Sequence, residues 1–146
     1  MRARVFLTAG VLAIVASLAL ATAAGATGVD RVLATVLTGA AEVPGPGDPD
    51  GIGAAVITID TDADRICWLL AVKRIQLPAT AAHIHVGAAG IAGPVVVGLT
   101  APNAFGISFG CTVNAAADAI AANPAAYYVN VHTTDFPAGA IRGQLG

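Results

Sequence analysis

The sequence predicts an all-β domain, an antiparallel β-sandwich of about eight strands, Greek-key-like in its connections, with one short helix. Three observations carry this expectation. Short runs rich in β-branched and apolar residues recur along the chain, clusters of Gly, Pro and Asp separate them, and only one stretch consists of good helix formers.

Residues 29–37 (VDRVLATVL) give the first strand, and residues 38–51 (TGAAEVPGPGDPDG) are dense enough in turn residues to form a loop. In residues 52–60 (IGAAVITID), Val56 and Thr58 share one face while Ile57 and Ile59 share the other. Residues 61–64 turn the chain. The strand at 65–75 then aligns Ile66, Trp68, Leu70 and Val72, which marks the centre of the core, with Trp68 its largest member. Pro78 ends it, and residues 82–86, 95–99 and 107–113 continue the β pattern. Residues 114–123 predict the helix, capped by Asn114 and stopped at Asn123-Pro124. Strands at 127–133 and 140–145 complete the set. Trp68 adjoins Cys67 and so faces the opposite way, which does not reproduce the immunoglobulin arrangement.

Length and composition bound the rest. At 146 residues the chain forms one domain with a sizeable core. Arg2 and Arg4 precede an uncharged stretch, residues 5–28, that ends in small residues with two Ala-x-Ala sites. Residues 1–26 therefore read as a secretory signal peptide, cut after Ala23 or Ala26, with residues 29–146 as the mature domain. The alternative is an uncleaved membrane anchor, the one route by which this chain would meet a membrane. Beyond residue 28, five basic residues face nine acidic ones. The lack of a basic cluster argues against nucleic acid and anionic lipid as partners. The two cysteines of an exported chain, Cys67 and Cys111, predict one disulfide; two buried free thiols are the alternative.

Chemistry concentrates in two segments. His83 and His85 stand two apart on a strand, so both imidazoles emerge on one face, roughly 7 Å apart. The third histidine, His132, lies in the strand YYVNVHT. Three imidazoles suit Zn or Cu, with a fourth position open or filled by Asp135. Histidines of ordinary pKa would also make a pH-responsive surface. Tyr128, Asn130 and His132 share one strand face, and Arg142 shares another with Gln144. These polar rows bind a ligand or form the wet side of a half-exposed sheet, and Arg142 with Glu42 suggests a buried ion pair.

Other motifs point away from catalysis. Asp60-x-Asp62-x-Asp64 begins like a calcium loop, yet Arg65 replaces the sixth-position Gly and Ala71 the twelfth-position acid, so a solvated turn is expected. The loop with Gly87, Gly90 and Gly93 is not a phosphate cradle and reads as a crossing loop needing positive φ. Past residue 28 the only serine is Ser108, inside a strand, which leaves a nucleophilic triad without a candidate.

Four segments taken in order, LTGAAEVP (37–44), AHIHVGAAG (82–90), YVNVHT (128–133) and GAIRGQL (139–145), resemble the CHRD domain, named after chordin and found in secreted bacterial proteins. The resemblance spans about residues 33–145 and implies an extracellular β-rich domain without established catalytic activity. Ala41 stands where that pattern usually has glutamine, and Ala140 where an acidic residue often precedes Ile-Arg. The second departure removes one partner for Arg142 or a metal. A fainter likeness, through His-x-His alone, is to Cu/Zn superoxide dismutase, whose full ligand set three histidines cannot supply. The chain thus reads as a secreted, non-enzymatic module that either binds an unidentified extracellular ligand or protein or has a structural role at the cell exterior. The alternative is a copper- or zinc-binding protein with superoxide-dismutase-like redox activity, using His83, His85 and His132.

Overall fold

The structure, a computed structural model, describes residues 29–146; the segment read as a signal peptide lies outside the described residues. Eight strands form: β1 (Arg31–Thr38), β2 (Ile52–Asp60), β3 (Arg65–Lys73), β4 (Ala81–Val86), β5 (Val95–Leu99), β6 (Ile107–Val113), β7 (Tyr127–His132) and β8 (Ile141–Gln144). Every pairing is antiparallel, in the order β5-β4-β7-β8-β1-β2-β3-β6. The chain meanders through β1–β3, crosses for the β4–β5 hairpin, returns to set β6 beside β3, and crosses again to set β7 beside β4.

The curled sheet nearly closes. Its edge strands β5 and β6 are tied by side chains, with Asn114 Nδ2 donating to the Val96 carbonyl at 3.1 Å and Ser108 Oγ to that of Thr100. Ser108 also accepts the Trp68 indole N–H at 3.1 Å, which satisfies the one polar atom of the largest core side chain. The face of β3 picked out by alternation is the buried one, with Ile66, Trp68, Leu70 and Val72 all in the core beside Ile57 and Ile59.

The Asp-rich run is a turn. The Asp60 carboxylate accepts from the Ala63 N–H at 3.1 Å and pairs with Arg65 at 2.9 Å, which fixes the β2–β3 hairpin and its nine-pair register. Cys67 and Cys111 sit directly opposite on β3 and β6 and form the disulfide. The helix is shorter than predicted, α1 (Ala117–Ala122), with Ile120 buried beneath it. Asn114 does not cap it. Its Oδ1 accepts from the Ala116 N–H at 2.9 Å, which shapes the turn before the helix, and Ala116 occupies the cap position. No described helix is long and apolar enough to cross a membrane.

Candidate metal centre

The three histidines meet. β4 and β7 pair so that Ala81 opposes His132, His83 opposes Asn130 and His85 opposes Tyr128, which puts all three imidazoles on one face of adjacent strands. A register shift between Ile84 and His85 on the β5 side re-aims the second ring. One ligand atom from each of His83, His85 and His132 lies within 4.8 Å of the other two.

Backbone carbonyls orient two of the rings. His85 Nδ1 lies 2.8 Å from the Gly93 oxygen and His132 Nδ1 lies 3.0 Å from the Pro137 oxygen. A carbonyl only accepts, so both Nδ1 atoms carry a proton, and in the neutral ring each Nε2 presents its lone pair. His132 Nε2 then accepts from His83 Nδ1 at 3.1 Å, while His85 Nε2 is buried without a partner. Burial lowers the pKa of His83, and the neighbouring His132 and His85 lower it further. His132 is lowered mainly by burial; its hydrogen bond to Pro137 opposes that, and the His85 charge adds to it. Both effects favour the neutral imidazole that a metal requires.

The polar face behind the histidines is not a wet surface. Tyr128, Asn130 and Arg142 are almost fully buried, roofed by the glycine loop and by the loop that carries Glu42. The Arg142 guanidinium lies 3.4 Å over the Tyr128 ring, and Tyr128 stacks on His85 with centroids 4.8 Å apart. Arg142 Nη2 donates to the Ala88 carbonyl at 3.0 Å and to Gln144 Oε1 at 3.3 Å. The expected Arg142–Glu42 ion pair is not made at salt-bridge distance, although both side chains line one pocket and the Arg142 charge still acts on the carboxyl; among the described residues the one salt bridge is Arg65–Asp60. Asp135 is exposed and stands outside the histidine group, its N–H donating to Gln76. Of the three loop glycines only Gly90 has positive φ; Gly93 is needed because a Cβ there would strike the Val86 carbonyl. The orienting carbonyls of Gly93 and Pro137 were not singled out from sequence. Their signal was a tight loop directly after His-x-His and a proline five residues after His132.

Glu42 gives the site a pH dependence. Burial raises its pKa to about 7, against the lowering influence of Arg142, of a hydrogen bond to Val43 and of Asn130. Its contribution to stability is complete below the ordinary carboxylate value of 4.5 and is lost as the pH rises through about 7. His83 and His132 act oppositely, their contribution being lost as the pH falls. The difference between wild type and Glu42→Gln isolates the carboxyl. In urea titrations, wild type should lose up to about 3 kcal/mol relative to that variant between pH 4.5 and 8. A difference independent of pH would contradict the assignment.

Fold and site together define a disulfide-linked antiparallel β module that gathers a histidine trio on one flank. The CHRD domain profile matches residues 33–145, and the chain belongs to the CHRD domain family. Comparison with curated proteins and with solved structures finds no match.

Proposed function

We propose that this CHRD domain is an exported, non-enzymatic binding module whose ligand is a divalent transition metal, Zn or Cu, held by His83, His85 and His132. The observation that carries the reading is the buried lone pair of His85 Nε2, left without a partner beside two other imidazole nitrogens. An unsatisfied buried acceptor is costly, and a cation answers it together with its two neighbours. Imidazole-only donors select Zn and Cu over Ca and Mg, which prefer oxygen. Export is supported by the charged, then apolar, then small-residue N-terminus and by the Cys67–Cys111 bridge, which needs an oxidising compartment.

Calorimetry on chelator-treated protein tests the reading. One equivalent of Zn2+ should bind, and His132→Ala or His85→Ala should weaken binding by at least about 100-fold. Zinc at a hundred times its dissociation constant should stabilise the fold by about 2.7 kcal/mol. No uptake, or wild-type affinity in His132→Ala, would rule the site out.

A further inference from the structure

The four strands β1, β2, β3 and β6 carry an outer face that is apolar where solvent would call for polar residues. Cross-strand register aligns Val56, Leu69 and Phe109 into one row, flanked by Val36 on one side and by Val32 and the disulfide on the other. Leu69 is 50% exposed and Phe109 74%. Charged side chains stand at the two ends of this face, Asp62, Asp64 and the Asp60-paired Arg65 at the β2–β3 turn and Lys73 and Arg74 at the far end of β3. An uncharged centre with a charged rim is the anatomy of an association surface, not of a solvated sheet.

We infer that this face is a homodimer interface, in which two copies stack their β1-β2-β3-β6 faces about a two-fold axis that runs the strands of one copy against those of the other. Two features favour a second copy as the occupant. Four strands at about 4.8 Å spacing and some six residues of apolar length make a face roughly 20 Å on a side; a pair of them buries about 800 Å2, the size of a weak, reversible contact. The two-fold brings Lys73 and Arg74 of each copy to Asp62 and Asp64 of the other, so the charged rim is self-complementary. An anionic membrane is disfavoured as the occupant by the acidic balance of residues 29–146.

The interface uses strands that carry no histidine, so it stands or falls independently of the metal reading. Sedimentation velocity on the purified protein, with its N-terminus defined by mass spectrometry, gives the test. A monomer–dimer equilibrium is expected, with Leu69→Glu and Phe109→Ser each weakening dimerisation by at least about tenfold while circular dichroism stays unchanged. Lys73→Glu should weaken the dimer, and adding Asp62→Lys should restore it. A monomer at every concentration up to about 1 mM overturns the inference. So does a dimer indifferent to both apolar variants, or a monomer whose Leu69-dependent binding is to phosphatidylcholine vesicles or to residues 1–28 of its own chain.

Discussion

Reduction of the Cys67–Cys111 bridge is expected to lower the unfolding free energy by about 4 kcal/mol. The two cysteines are 44 residues apart, and closing a loop of that length removes roughly 4 kcal/mol of chain entropy from the unfolded state. The bridge has a further role in the native sheet. It joins β3 to β6, an edge strand that is otherwise held by one ladder and by the Ser108 and Asn114 side chains. Urea unfolding with and without reductant reads the effect directly, with the Cys67→Ala/Cys111→Ala double variant as its genetic equivalent. The midpoint should fall in both, and the slope should rise, because the unfolded chain without its cross-link exposes more surface. A loss under about 1 kcal/mol would show that the bridge contributes little to folding.

Arg142→Ala is expected to cost about 3–5 kcal/mol. The side chain is 2% exposed, and its guanidinium is held between the Tyr128 ring, the Ala88 carbonyl and Gln144. Truncation opens a hole under the glycine loop, leaves the Ala88 carbonyl with the Ile91 N–H as its remaining donor, and removes the Arg142 charge that acts on buried Glu42. Arg142→Met keeps much of the volume and removes a buried charge that lacks a salt-bridge partner, so its cost should be smaller. Because Tyr128 lies between Arg142 and His85, the alanine variant should also loosen the His85 ring and weaken zinc binding. Melting within about 1 kcal/mol of wild type would contradict the packing account.

Much of the fold was legible because strand alternation is a local signal. The buried faces of β2 and β3 follow from period two, and the pairing of the only two cysteines follows from their number. His83 and His85 were bound to share a face. That His132 would join them was an inference about β4 pairing with β7, which depends on long-range closure that no local pattern encodes. The same limit explains the errors. Sequence shows that Tyr128, Asn130 and Arg142 line polar faces, but not that two loops fold over those faces and bury them. It places a cation and a carboxylate within reach, but not the aromatic ring on which the guanidinium stacks. Asn114 carries a good capping side chain, yet the chain spends it one turn earlier.

The convergence of three imidazoles on one ion is most directly tested by X-ray absorption at the zinc edge of the 1:1 complex. Three nitrogen neighbours at about 2.0–2.1 Å, with the multiple-scattering pattern of imidazole and one lighter ligand, are the expected result. A shell of oxygens alone, or a single histidine, would mean that His83, His85 and His132 do not act together.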